Sequence, residues 1–198
     1  MILNKTNPET LETISTLIRD GGVVVLPCDT IYGLCAAYRI GDKALMDLKG
    51  RPENKPFLIL ATIEQAKDLC VSIPLDILAS WPAPLTVILD TKDGRKTAIR
   101  VPADPFLQKL LKLTGMPIYS TSVNMAGEPS LLNFTDICRR FEAMVDGLVR
   151  DKEVQGTVPS TLIDATTKPY VIVRQGAFDA DSLVEGSLRY CQEHSGTL

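Results

Sequence analysis

Apolar residues first recur at helical spacing at Leu11, Ile14, Leu17 and Ile18, which fall on one stripe of a helix. Asn7-Pro8 precedes that stripe with a capping side chain and a first-turn proline, and Gly21-Gly22 ends it. The pattern then changes. Val23 to Leu26 is a short β-branched run that predicts a buried strand ending at Pro27. Further along, the spacing predicts helices over Asp42 to Leu48, Ile63 to Cys70, Leu75 to Ser80 and Pro105 to Leu113. A helix starting at Asn133 or Thr135 runs towards Phe141, and another begins at Asp181. Strands are predicted at Phe57 to Ala61, Leu85 to Leu89, Thr97 to Val101, Ile118 to Ser120, Leu148 to Arg150, Thr161 to Ile163 and Tyr170 to Val173. The polar turn Thr91 to Lys96 joins two of these strands. Strands and helices interleave along much of the chain, which predicts an α/β fold with a mixed sheet.

Composition changes this picture little. The 198 residues, 45% hydrophobic and 23% charged, suit one globular domain over 1–198, with about 70% of the unfolded surface buried. No repeat, low-complexity tract or linker-like charge block divides it. The net charge of −3 argues against a protein that works mainly through nucleic-acid phosphates. Cys28, Cys35, Cys70, Cys138 and Cys191 are odd in number, widely spaced and contain no C-x-x-C pair, so neither a disulfide framework nor a zinc site is expected. With no signal-peptide pattern and no run of about 18 apolar residues, the expected location is the cytoplasm, away from membranes.

Missing chemistry narrows the function. The one histidine, His194, lies four residues from the end, which removes Ser-His-Asp, Cys-His and two-histidine metal mechanisms from consideration. No glycine directly precedes a lysine, so there is no Walker A loop, and no G-x-G-x-x-G occurs.

Four polar segments stand at predicted junctions, where α/β folds place their sites. Pro27-Cys28-Asp29-Thr30-Ile31-Tyr32-Gly33-Leu34 reads as a hydroxyl-bearing ligand loop or as an ordinary Asp-capped turn. Lys49-Gly50-Arg51-Pro52-Glu53-Asn54-Lys55-Pro56 holds three cations that can face a polyanion, or that simply complement a helix end. Ser120 to Ser130 packs hydroxyls and the Asn124 amide into a junction that binds oxyanions or satisfies its own backbone. The last pairs Val158 to Asp164 with Val171 to Ala177, and brings Ser160 and Arg174 near the ends of a hairpin-like unit. A lone arginine such as Arg174 is more often a surface charge.

Together the segments resemble the YrdC/TsaC family. Its K-x-R pair corresponds to Lys49 and Arg51, and its S-x-N pair to Ser122 and Asn124. The entry loop resembles T-[DE]-T-x-Y-G-L, with Cys28 at the first threonine. Trp81-Pro82-Ala83-Pro84-Leu85-Thr86 resembles W-P-G-P-L-T, with Ala83 for glycine, and Ile99-Arg100-Val101-Pro102 resembles V-R-x-P. Ser160 to Asp164 and Val173 to Ala177 resemble S-T-[IV]-[IV]-D and [IL]-R-x-G-A. The matches run in family order from about residue 10 to 178, nearly the full length.

The resemblance implies a twisted mixed sheet flanked by helices, with a concave, positively lined cavity, in the short single-domain form. It also implies a nucleotidyltransferase that converts L-threonine, bicarbonate and ATP to threonylcarbamoyl adenylate and pyrophosphate. Other tRNA threonylcarbamoylation proteins then pass the group to tRNA. By the same resemblance Thr30, Arg100, Ser122 and Ser160 hold threonine. Lys49, Arg51, Lys55, Lys96, Asn124 and Arg174 contact ATP, and Lys49, Arg51, Ser122 and Asn124 carry the catalysis. Mg²⁺ is expected with the ATP phosphates, without protein ligands to a metal. Asp29 caps a turn or touches the water shell of that ion. Two competing readings are an RNA-binding module, disfavoured by the acidic balance, and a relative with another acyl or nucleotide substrate.

Overall fold

The computed structural model describes residues 1–50, 56–151 and 158–194. The first elements are β1 (Ile2–Asn4), α1 (Glu9–Arg19), β2 (Val24–Pro27), β3 (Tyr32–Ala37) and α2 (Asp42–Lys49). Next come β4 (Leu58–Leu60), α3 (Ile63–Leu69), α4 (Leu75–Ser80), β5 (Leu85–Asp90), β6 (Lys96–Arg100) and α5 (Pro105–Thr114). The chain continues through β7 (Ile118–Ser122), α6 (Phe134–Phe141), β8 (Gly147–Arg150), β9 (Thr161–Asp164), β10 (Val171–Arg174) and α7 (Asp181–His194). One ten-stranded sheet joins the strands in the order β1-β8-β2-β3-β7-β4-β6-β5-β9-β10. Parallel pairs such as β4–β6 and β5–β9 alternate with antiparallel ones such as β3–β7 and β5–β6, giving the mixed α/β sheet the periodicity predicts.

Local chemistry explains the helix ends. Asn7 Oδ1 accepts from Glu9 N at 3.0 Å at the start of α1, and Asp104 Oδ1 accepts from Leu107 N at 3.0 Å at the start of α5. Thr62 and Gln65 form a reciprocal capping box on α3. Gly50 ends α2 in the left-handed region at φ 59°, a conformation that glycine adopts at little cost.

Alternating strand residues divide the core. Val24 and Leu26 pack against Ile14 and Ile18 of α1 and Leu107 and Leu110 of α5 on one face. On the other face, Val25 and Leu34 meet Leu45 of α2 and Ile137 and Phe141 of α6. Farther along that second face, Ile59, Val87 and Ile99 are covered by Ala66 of α3, Ile77 of α4 and Leu183 of α7. Lys5 ties the β1 edge down, its Nζ lying 2.7 Å from Asp104 and 2.6 Å from Asp151. Among the described residues no helix is long and apolar enough to cross a membrane.

Three expectations need correction. Residues 32–34 do not belong to a loop: Tyr32 begins β3, which is buried along its whole length between β2 and β7. Likewise β7 runs to Ser122, so this serine sits on a strand paired with Gly33 instead of in the junction after it. The short edge strand β1 has no counterpart among the predicted elements.

Candidate active site

Register alone brings several of the polar residues to one face of the sheet. Ser122 pairs with Gly33, Ser120 with Leu58, Thr86 with both Arg100 and Leu162, and Arg174 with Leu162. Residues opposite one another on paired strands project to the same side. This is the face carrying α1 and α5, and beyond those helices it forms a cavity of about 300 Å³. Thr30, Arg100, Ser122, Ser160 and Arg174 all line that cavity, together with Cys28, Thr86 and Ser120.

Arg100 is the electrostatic centre of the wall and is only 3% exposed. Its Nη1 donates to Thr30 Oγ1 at 3.1 Å, and its Nη2 lies 3.3 Å from Asp29 Oδ1. Asp29 Oδ2 accepts from Ala103 N at 3.1 Å, so this carboxylate pairs with Arg100 and braces the following loop. Asp29, expected to cap a turn or touch a metal's water shell, spends its two oxygens here on Arg100 and Ala103 N. Arg100 Nε is buried and has no hydrogen-bond partner among the described residues. A buried donor left unmatched in a cavity wall is suited to an acceptor brought by a ligand.

Arg174 faces the same space. Its Nε and Nη2 donate to Ser160 O at 3.3 and 2.8 Å, while Ser160 Oγ and Thr86 Oγ1 share a hydrogen bond of 2.8 Å. Burial and the nearby Arg100 charge hold the Arg174 guanidinium below its ordinary pKa. Two guanidiniums that repel across a hydroxyl-lined hollow favour an anion between them.

Lys49, in the last turn of α2, stands one layer behind and is 3% exposed. Its Nζ donates to Ser122 O at 2.6 Å and to Asn124 Oδ1 at 2.7 Å. Ser122 Oγ in turn donates to Asn124 Oδ1 at 2.7 Å, and Asn124 Nδ2 bonds Glu128 O. Lys49 of the first predicted pair thus meets both residues of the second, although 73 residues separate Lys49 from Ser122. Lys96 does not join them. It lies four residues before Arg100 on β6, yet its Nζ donates to the Thr166 hydroxyl at 2.8 Å and it lines a second cavity, with Ile59 and Thr97. That cavity, about 780 Å³, also borders Phe57 and Tyr119. Arg51 and Lys55 lie outside the described residues.

Thr86 and Ser120 were not among the expected site residues. Their signal was present in the alternation: Ser120 precedes Ser122 by one strand period, and Thr86 closes the W-P-A-P-L-T segment. The rest of that segment is scaffold, since Trp81 Nε1 donates to Leu85 O at 2.9 Å and Ala83 N bonds Val101 O.

A family model covering Sua5, YciO and YrdC proteins, described as "Telomere recombination", matches residues 16–176. The chain belongs to the Sua5/YciO/YrdC family. A family member from Pyrococcus abyssi, a threonylcarbamoyl-AMP synthase, is 32% identical over 191 residues, covering 87% of this chain. The chain spans 56% of that relative's length and 56% of a Bacillus subtilis relative of the same name. A threonylcarbamoyl-AMP synthase from Xanthomonas campestris is 32% identical over 179 residues, with 81% of this chain and 95% of the relative aligned. The crystal structure of P. abyssi Sua5 complexed with L-threonine superposes with a TM-score of 0.85 at 29% identity, over 95% of this chain and 61% of that one. Escherichia coli YciO shares the fold at a TM-score of 0.81 and 23% identity, over 92% and 98% of the two chains.

Proposed function

We propose that this protein is a threonylcarbamoyl-AMP synthase, in which residues 1–198 form one domain, and that it works in the cytoplasm to supply tRNA threonylcarbamoylation. One observation supports it above the others: a buried Arg100 with an unmatched Nε, beside the Thr30 hydroxyl and across from Arg174, in a relative of a Sua5 solved with threonine. In this reading Arg100 and Thr30 hold the threonine carboxylate, with Ser122 and Ser160 completing the amino-acid site. Arg174, Asn124, Lys49, Arg51 and Lys55 serve the ATP phosphates, and Lys96, which lies away from the cavity, is left out of that set. The threonine amine adds to carbon dioxide from bicarbonate and loses a proton. A carbamate oxygen then attacks the α-phosphorus of ATP, and the bond to pyrophosphate breaks.

No step needs a protein nucleophile or an imidazole, so positioning and charge neutralisation carry the rate. Lys49 contributes by fixing Ser122 and Asn124, and by placing its charge behind the wall. In this reading Mg²⁺ accompanies the phosphates of ATP, where it would neutralise charge. Downstream, tRNA and other threonylcarbamoylation proteins consume the adenylate.

The test is pyrophosphate release with ATP and threonine, serine or no amino acid, each with and without bicarbonate. Release that requires both bicarbonate and threonine, with serine poorer, is the expected result. Release independent of the amino acid, or none with threonine, would overturn the assignment.

A further inference from the structure

Cys28 occupies the position where the family pattern carries threonine, and it brings a thiol to the cavity wall. A second thiol is close by. Cys35 lies on β3, two residues beyond Gly33, and its Sγ contacts Gly33 O at 3.7 Å and Ser120 Oγ at 3.6 Å. A Cβ built on Gly33 would lie 3.3 Å from the Cys28 sulfur and 3.5 Å from the Cys35 sulfur. Both sulfurs therefore flank the same side-chain-free spot, which only a glycine leaves open. Neither forms a disulfide, and Cys28 is 6% exposed while Cys35 is fully buried. Cys28 lines the cavity, so a small molecule entering it meets the pair there.

The two thiols are unequal. The neighbouring Cys35 thiol holds Cys28 below the ordinary thiol range, against the effect of burial and with help from the Arg100 charge. Cys35, coupled to Cys28 and wholly buried, is pushed well above that range. Cys28 lines the cavity and Cys35 lies behind it with no exposure, so Cys28 is the sulfur that an entering oxidant meets and Cys35 the resolving one. Cys70 and Cys138 lack this setting: burial pushes Cys70 up to about 11, and burial also raises Cys138.

We propose that Cys28 and Cys35 form a covalent modification site, a peroxide-reactive pair that closes to an intramolecular disulfide and disables the cavity. The Cys28 thiolate attacks one oxygen of hydrogen peroxide, the O–O bond breaks, and hydroxide leaves, giving a sulfenic acid. The Cys35 sulfur displaces that hydroxyl, forming the S–S bond. With the thiol protons included, two thiols are oxidised and one peroxide is reduced to two waters. Closing the bond pulls Cys28 towards β3. Asp29 and Thr30, the next two residues, hold Arg100, so the anion-binding guanidinium loses its setting.

Both cysteines fall on one tryptic peptide, residues 20–39, which makes the test direct. The full chain is treated with hydrogen peroxide, remaining thiols are capped with iodoacetamide under denaturing conditions, and digests are compared with and without dithiothreitol. The expected product is peptide 20–39 lacking two hydrogens and uncapped at both cysteines, formed on the order of tenfold faster than loss of the Cys70 thiol, and reversed by dithiothreitol. With Cys28→Ser the Cys35 thiol stays reduced under the same treatment. With Cys35→Ser the Cys28 sulfenic acid persists and is trapped by dimedone. Capping of both cysteines in the wild type after peroxide, or equal oxidation of Cys35 in Cys28→Ser, would overturn the site. Mass is read independently of any ligand, so a failure here is distinct from failure of the synthase assignment. The functional half is read by pyrophosphate release, expected to fall at least roughly tenfold with the disulfide and return on reduction. Unchanged turnover of the fully disulfide-bonded protein would overturn that half.

Discussion

Arg100 carries two roles that pull against each other. Its guanidinium neutralises Asp29 within the wall, while its unmatched Nε leaves binding capacity for a ligand. Arg100→Ala would strand a mostly buried carboxylate, a change that costs about 3–5 kcal/mol when a buried pair loses one partner. Arg100→Lys keeps the charge but not the fork, so it should retain most of the stability and lose the bidentate recognition of a carboxylate. We expect Arg100→Lys to melt near the wild type and to raise the threonine KM at least roughly tenfold, since each factor of ten corresponds to only ~1.4 kcal/mol. A KM unchanged in Arg100→Lys would remove the carboxylate role. The separation matters because loss of activity in Arg100→Ala alone could reflect folding.

At the level of elements, the region around β9 and β10 shows how tightly the backbone serves the site. A Cβ on Gly176 would fall 2.3 Å from Pro159 O and 2.5 Å from Ser160 O, both backbone atoms that cannot swing aside. Gly176→Ala should therefore cost about 1–3 kcal/mol through overpacking. It should also weaken ligand binding, because Ser160 O is the atom that holds Arg174. Thermal melts alongside substrate titrations check both effects, and an alanine variant with wild-type values in each would show that the backbone yields freely. This coupling was invisible in the sequence, where R-x-G-A reads only as a motif. Helices such as α1, α3 and α5 were legible from apolar spacing and caps. In contrast β3, Tyr-Gly-Leu-Cys-Ala-Ala, has no alternation and little β-branching. It is a strand because β2 and β7 pair with it on both sides, a tertiary fact that local propensity does not contain. Site residues were legible where a motif singled out a charge, as at Arg100 and Arg174. Thr86 and Ser120 become recognisable only through register, and the route taken by Lys96 depends on its reach to Thr166.

For the molecule as a whole, the net charge of −3 conceals a local cationic hollow, and only ligands small enough to enter it meet that field. ATP and threonine added together should therefore raise the melting temperature. Ligand at a hundredfold excess over its Kd contributes about 2.7 kcal/mol, and for a chain of this size each kcal/mol shifts Tm by roughly 2–4 °C. Salt at 1 M should shrink the shift, because the Debye length falls to about 3 Å. Absence of any shift with both ligands present would contradict a shared pocket. The strand order has a further consequence, for the chain as it is made. β1 finds its partner only at Leu148, β2 is flanked on one side by residues from Gly147 on, and β3 waits for Ile118 to Ser122. Synthesis at about 5–20 residues per second leaves the β2–β3 hairpin without either neighbour for on the order of ten seconds. Both of its strands are buried throughout in the finished fold, so on the ribosome they present bare apolar edges to whatever is near. The half-made chain, more than the complete protein, is the form that a chaperone would have to shield.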